Sequence, residues 1–152
     1  MSKYGARQLE ISFVVLGDAV AQGRPRVAVR GKHATVYDPA KSRDYKQYVR
    51  LVASQHAPPE PLTGPLAVEI RVYFFAPKSW SMKKRQMALN EVLLPTNRKD
   101  CDNIAKSVLD ALNGIMYIDD GQITTLIVHK RYSEKPRTEI TIKVCGERER
   151  IL

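Results

Sequence analysis

The chain has few acidic residues, few cysteines and few histidines. Its 152 residues include 16 Asp and Glu against 25 Lys and Arg, which gives a formal charge of +9, with two cysteines and three histidines. Cys101 and Cys145 lack the spacing of a disulfide framework, and the histidines lack metal-ligand spacing. A disulfide-stabilised secreted scaffold and a histidine-based metal site are therefore disfavoured, and we expect a reducing, cytoplasmic location.

Long apolar runs are also missing. No stretch approaches the roughly 20 apolar residues that a transmembrane helix needs, and the N-terminus has no apolar segment of the signal-peptide type. No helical pattern combines a basic face with bulky apolar residues opposite, so we expect no membrane partner. The length predicts one domain over residues 1–152, with a charged tail over 146–152 that is either mobile or extends a helix.

Strand and helix patterns alternate without a strict strand–helix–strand repeat. We therefore predict an α+β fold in two layers, a small mixed sheet with helices packed on one side. The clearest strand is LAVEIRVYFFA, in which alternate residues are apolar, and the clearest helix carries an apolar stripe. Strands are predicted over 9–16, 66–76, 122–131 and 137–145, a two-stranded ribbon over 22–37, and helices over 41–56, 79–92 and 103–112.

Most of the aspartates lie in one short segment. Residues 100–120 contain five of the chain's eight Asp and one basic residue, Lys106, hence a formal charge of −4, which leaves +13 on the rest. Two carboxylates 4 Å apart repel by roughly 4 kcal/mol at an effective dielectric near 20. If these side chains meet, a hard divalent cation between them is the usual solution.

The spacing of these residues suggests a metal site. Asp100 and Asp102 are two apart, so in an extended segment they would share one side of the chain, with Asp102 near the N-cap of the following helix. Lys106 lies one helical turn further on, where an ammonium can contact a phosphate or stabilise developing charge.

The chain beyond the helix is long enough to double back. We therefore expect Asp100, Asp102 and Asp120 to converge on Mg²⁺, with Asp119 close by. Such a cation would polarise a phosphoryl oxygen and activate water for in-line attack.

Each aspartate also has a structural interpretation. Asp before a helix is a common cap, Asp-Asp-Gly is a common turn, and Asp110 is four residues from Lys106 and so a candidate ion-pair partner. The grouping of these acids within a basic chain is what favours the metal site.

The charge of the rest of the chain favours a polyanionic partner, and nucleic acid in particular. The proposed ribbon is rich in basic residues that can contact phosphates, and further basic residues precede the acidic segment. Tyr37 and Trp80 are candidates either for base stacking or for core packing. The predicted DNA-binding residues are Arg24, Arg26, Arg30, Lys32, Arg98 and Lys99, with Lys83, Lys84 and Arg85 continuing the surface.

The string RKDCDNIAKSVLDALNGIMYIDDGQI resembles the RusA family of Holliday junction resolvases. That family carries Asp-x-Asp-Asn before a helix, a Lys on the helix and an Asp-Asp pair after it, and the same order occurs here. The following strands, QITTLIVHKRY and TEITIKV, are also similar. The resemblance is strongest over 97–145, is looser over GRPRVAVRGKHATVYDP, and is weakest at 79–92 and in the C-terminal tail.

The resemblance implies a compact α+β homodimer that cuts four-way DNA junctions symmetrically with Mg²⁺ or Mn²⁺, in DNA recombination and repair. It implies catalytic roles for Asp100, Asp102, Lys106 and Asp120. Two alternatives stay open at this point. One is a non-catalytic basic DNA-binding module whose aspartates are caps and turns. The other is a nuclease of the same family that acts on other branched DNA or on RNA.

Overall fold

The computed structural model describes residues 9–23, 26–37 and 39–146. Over these ranges the chain forms six strands, three α-helices and one short 3-10 turn. In chain order they are β1 (Glu10–Leu16), β2 (Arg26–Arg30), β3 (His33–Tyr37), α1 (Ala40–Ser54), β4 (Leu66–Phe75), α2 (Met82–Leu89), α3 (Cys101–Leu112), the 3-10 turn (Asp120–Gln122), β5 (Ile123–Ser133) and β6 (Arg137–Val144).

Four of the strands form one mixed sheet. Its strand order is β1-β6-β4-β5, and β6 pairs antiparallel with both β1 and β4, whereas β5 runs parallel to β4. Strands β2 and β3 form a separate antiparallel ribbon whose turn is at Gly31. The predicted α+β class and the ribbon are therefore confirmed.

The helices cover one face of this sheet. Along β4, alternate side chains are buried, as the sequence pattern predicted, while Arg71 and Phe75 on the opposite face are exposed. The same alternation occurs in β6, where Ile140 and Ile142 are buried. A single apolar core therefore lies between the sheet and the pair α1 and α3, and the expectation of helices on one side is confirmed.

Helix α3 is held by its apolar stripe and by its two ends. The predicted stripe residues are all buried in the core. At the C-terminal end, Gly114 adopts a φ of 77°, a left-handed conformation that costs glycine little. The Arg50 guanidinium of α1 donates hydrogen bonds to the carbonyl oxygens of Ala111 (3.0 Å) and Asn113 (3.1 Å). The stripe consists of Ile104, Val108, Ala111 and Leu112.

Two predicted helix boundaries were wrong. Helix α2 is shorter than the predicted 79–92, because Ser81 rather than Ser79 is its N-cap and accepts a hydrogen bond from the Lys84 amide (3.2 Å). Helix α3 begins two residues before the predicted 103, so Asp100 is the N-cap and Asp102 already lies in the first turn. Of the predicted tail over 146–152, only Gly146 lies within the described residues.

The contacts of Arg50 predict a measurable effect on stability. Arg50→Ala removes both hydrogen bonds to the last carbonyls of α3 and should lower the free energy of unfolding by about 1.5 kcal/mol. The measurement is urea denaturation, in which the midpoint should fall while the m-value is unchanged. Arg43→Ala, an exposed position on the same helix, is the matched control and should change the free energy by less than about 0.5 kcal/mol. Equal effects of the two substitutions would contradict the capping role.

Candidate active site

The outer side of α3 carries a charged stripe opposite its apolar one. Asp102, Lys106 and Asp110 follow at intervals of four residues, which places them on one side of a helix. The Lys106 Nζ lies 3.7 Å from an Asp110 carboxylate oxygen, which the Nζ of Lys46 on α1 also approaches at 3.7 Å. The predicted ion pair of Asp110 is therefore confirmed. The Lys106 side chain is 62% exposed, so its ammonium is accessible to an anion from solvent.

Two carboxylates lie at the N-terminus of α3. Both are exposed, and neither caps the helix through its side chain. The Asn103 side-chain amide donates a long hydrogen bond to Asp100 (3.5 Å), whereas the Asp102 carboxylate makes no hydrogen bond or ion pair within the described part of the chain. Backbone N–H groups and the helix dipole make this end favourable for negative charge. Asp102 lies near the N-cap, as expected, but in the first helical turn rather than in an extended segment.

The chain doubles back directly after α3, as expected from its length. The Gly114 amide donates to the carbonyl of Tyr117 (2.7 Å), and the buried Tyr117 hydroxyl donates to the carbonyl of Leu109 (2.7 Å). Burial raises the pKa of Tyr117, and the nearby negative charges of Asp120, Asp110 and Asp119 raise this pKa further. The Asp119–Asp120 turn therefore lies near the third turn of α3.

Neighbouring residues Asp119 and Asp120 have different environments. A carboxylate oxygen of Asp119 accepts a hydrogen bond from the Gly121 amide (2.8 Å), and the Gln122 side chain accepts one from the Asp119 amide (2.9 Å), which completes a capping box. Asp120 is half-buried, and its carboxylate makes no hydrogen bond or ion pair among the described residues. Asp119 therefore holds the turn, and Asp120 presents the uncommitted carboxylate.

Gln122 is a positioning residue that sequence reasoning missed. Its Oε1 accepts from the amides of Ile118 and Asp119, both at 2.9 Å, and its Nε2 donates to the carbonyls of Leu62 (2.9 Å) and Gly64 (3.0 Å). One side chain thus ties the Asp119–Asp120 turn to the loop before β4. The signal was present in the sequence, because Asp119 and Gln122 have the three-residue spacing of a capping box.

The acidic side chains have the right chemistry for a hard cation. Carboxylate oxygens are the ligands that Mg²⁺ prefers, and Asp100, Asp102 and Asp120 retain their lone pairs almost entirely. Over residues 9–23, 26–37 and 39–146, however, no three His, Cys, Asp or Glu side chains lie close enough together to hold one metal ion. The third turn of α3 is also about 12 Å along the helix axis from Asp102. Convergence of the three aspartates on one cation, with Asp119 beside them, therefore stays a prediction.

Residues 22 and 23, which precede the ribbon, are hydrogen-bonded to the entrance of α3 and to α1. The Gln22 amide donates to the carbonyl of Asn103 (2.9 Å), and the Gly23 amide donates to the hydroxyl of Ser42 (2.8 Å). At Gly23 an added Cβ would lie 2.7 Å from Pro39 and 2.9 Å from Ser42, so only glycine allows this close packing. Gln22 and Gly23 are therefore fixed near the first turn of α3.

The predicted DNA-binding residues occupy different environments. Arg30 and Lys32 are exposed at the tip of the ribbon, and Arg98 is exposed before α3. The Lys99 ammonium donates to the carbonyl of Ala19 (2.8 Å), so in this structure it holds the loop before the ribbon. Arg24 and the side chain of Arg26 lie outside the described residues. DNA contact by all six stays a prediction.

The different roles of Asp119 and Asp120 can be tested by measuring the free energy of unfolding of two variants. Asp119→Ala removes the cap and should lower the free energy of unfolding by about 1 kcal/mol. Asp120→Ala, the matched control, removes no hydrogen bond and should change it by less than about 0.5 kcal/mol. Urea denaturation of both variants measures the difference. A loss that is equal for the two, or larger for Asp120→Ala, would contradict the assignment of the cap.

Comparison with known proteins relates the chain to one family and to a bacterial protein. The family described as Endodeoxyribonuclease RusA matches residues 17–143. A protein of Bacillus subtilis (strain 168), the uncharacterized protein YqaN, is 49% identical over 135 residues, which cover 88% of this chain and 95% of that protein. Among the described residues, no helix is both long and apolar enough to cross a membrane.

Proposed function

This chain belongs to the RusA endodeoxyribonuclease family, and we propose that it hydrolyses phosphodiesters at four-way DNA junctions in DNA recombination and repair. The observation that carries the proposal is local. The uncommitted carboxylates of Asp100 and Asp102 lie at the entrance of α3, where the Gln22 amide, in the segment that precedes the basic ribbon, donates to the carbonyl of Asn103. Arg98, an exposed basic residue and predicted phosphate contact, lies two residues before Asp100. The free thiols of Cys101 and Cys145 agree with a cytoplasmic location.

The proposed catalytic groups have distinct roles. Asp100, Asp102 and Asp120 would hold Mg²⁺, which Mn²⁺ could replace, with Asp119 keeping Asp120 in place through the capped turn. A divalent cation supplies Lewis-acid polarisation of the phosphoryl oxygen and a hydroxide at neutral pH. Like-charge repulsion of roughly 4 kcal/mol per close pair means that these carboxylates can approach one another only around a positive charge.

Lys106 would stabilise charge on the phosphoryl group. Its ammonium lies on the same side of α3 as Asp102 and is exposed. A phosphate bound to a cation at Asp100 and Asp102 would therefore lie within one helical turn of Lys106. Its ion pair with Asp110 orients the side chain along the helix surface. Negative charge increases at the non-bridging oxygens during cleavage, and a positioned ammonium favours that change.

We also propose a homodimer. A four-way junction has two equivalent strands to be cut, and a twofold dimer through one isologous interface places one site at each. The measurement is analytical ultracentrifugation of the full chain, in which a single species of twice the chain mass is expected.

The carboxylate role is tested by Asp102→Asn. This change keeps the size of the side chain, removes its charge and should abolish junction cleavage with Mg²⁺ while leaving junction binding in EDTA unchanged. Asp119→Asn is the matched control, because an asparagine oxygen can still accept from the Gly121 amide. It should retain cleavage within several-fold. The measurement is the single-turnover rate on a labelled synthetic junction.

Wild-type cleavage rates for Asp102→Asn in the presence of metal would contradict the site. Failure of the wild-type chain to cut any junction with Mg²⁺ or Mn²⁺ would favour the non-catalytic DNA-binding module instead. The cap made by Asp119 is one observation that supports that alternative. Junction, flap, linear duplex and RNA substrates, compared side by side, distinguish the other rival, a nuclease acting on different branched nucleic acids.

Lys106→Ala tests the electrostatic role separately from binding. Because the ammonium is assigned to charge that develops in the transition state, the change should lower the cleavage rate constant by about 100-fold and raise the Kd for the junction by less than about threefold. Lys41→Ala, exposed on α1, is the control and should leave the rate constant unchanged. Equal losses in rate and affinity for Lys106→Ala would make the residue a phosphate clamp in the ground state.

A further inference from the structure

Helix α2 contributes little to the core. Of its eight residues only Ala88 is buried, and Met82, the first residue of the helix, is 90% exposed. Single exposed apolar side chains are common on proteins, so the exposure of Met82 alone carries no conclusion. Its surroundings are what make it unusual.

The segment that contains α2 is strongly basic. Residues 76–90 include four basic side chains and no acidic one, so the segment has a formal charge of +4. Lys83 and Lys84 directly follow Met82, and both are exposed. A 90% exposed apolar side chain at the start of a helix, directly before two lysines, therefore projects from a positive surface. The basic residues are Lys78, Lys83, Lys84 and Arg85.

This segment is fixed to the end of the edge strand β5. Three consecutive β5 residues contact this segment and the loop that follows it, so α2 and the loop to Asp100 wrap around the strand. Tyr132 packs edge-to-face on Trp80, with ring centroids 5.2 Å apart, Arg131 pairs with Glu91 at 3.8 Å, and the Lys130 ammonium donates to the carbonyl of Asn97 at 3.1 Å.

The base of Met82 is likewise ordered. Lys84 lies over the Trp80 ring, with its Nζ 4.1 Å from the ring centroid, and the Ser81 hydroxyl caps the first turn of α2. The side chain of Met82 therefore stands on an ordered helix N-terminus, and the ten-residue connection from the other end of α2 leads to the carboxylates of the candidate site.

We propose that Met82 is a wedge that enters the branch point of the DNA and packs against unstacked bases, while Lys83 and Lys84 contact the flanking phosphates. This inference rests on the proposed function. Apolar side chains inserted between base steps are a general way of holding distorted DNA, and the surrounding positive charge matches the phosphates on either side. A membrane surface fits less well, because α2 has no apolar stripe along its length.

The test is fluorescence of 2-aminopurine placed at the branch point of a synthetic four-way junction, with EDTA present so that no strand is cut. Binding of the wild-type chain should increase the fluorescence at the branch point and leave a probe in the middle of an arm unchanged. Met82→Ala should lose most of the increase and bind the junction about tenfold more weakly. Met82→Leu should retain both, and Val92→Ala, at a position 68% exposed beyond α2, is the matched control that should resemble the wild type.

A Lys83→Ala variant distinguishes phosphate contact from insertion. It should weaken binding to junction and linear duplex alike and reduce the salt slope by about one, with the fluorescence increase at saturation unchanged. An unchanged affinity and an unchanged fluorescence increase for Met82→Ala would overturn the insertion while leaving junction cleavage intact. A wild-type chain that neither prefers junctions to duplex nor cuts them would overturn the proposed function, and the wedge with it.

Discussion

Helix α3 links the stability of this protein to its candidate chemistry. The 3.6-residue period places Ile104 and Val108 in the core and Asp102 and Lys106 on the opposite side of the same helix. Every apolar contact that holds α3 on the sheet therefore also fixes the direction of the charged stripe. Hydrogen bonds from Arg50 at one end and from Gln22 at the other join the helix to α1 and to the loop before the ribbon.

The topology concentrates the candidate site in one connection. Strands β4 and β5 are parallel neighbours, and a parallel pair needs a long crossover between them. That crossover contains α2, α3 and the 3-10 turn, and hence the acidic segment and the basic segment before it. Residue Gln22, on the N-terminal side of the ribbon, is hydrogen-bonded to Asn103 in the first turn of α3.

Elements with a strong hydrophobic period could be predicted from the sequence. Strand β4 and the apolar stripe of α3 follow directly from alternation and from the helical period, and the ribbon from its partial alternation and its turn at Gly31. The bounds of α2 could not, because its residues are mostly polar and only the cap at Ser81 defines where it begins. Helix α3 starts earlier than its apolar pattern, so Asp102 is helical rather than extended.

Contacts between distant parts of the chain limited how much of the candidate site could be predicted from the sequence. The sequence identified the acidic residues and contained the spacing of the Asp119 cap, but it did not indicate that Gln122 ties the turn to the loop before β4 or that Lys99 bonds to Ala19. The bonds of Gln122 to that loop and of Lys99 to Ala19 join residues that are adjacent only after folding. The Asp119 carboxylate holds the turn through its cap, whereas the carboxylates of Asp100, Asp102 and Asp120 remain available.

The most direct measurement is a crystal structure of the chain soaked with Mn²⁺, with the ion located by its anomalous scattering. The central claim predicts a peak coordinated by oxygens of Asp100, Asp102 and Asp120 at about 2.1 Å, a distance expected for a hard divalent ion. Full occupancy of Mn²⁺ elsewhere, with Asp120 directed away from Asp102 and no ion bridging them, would contradict it.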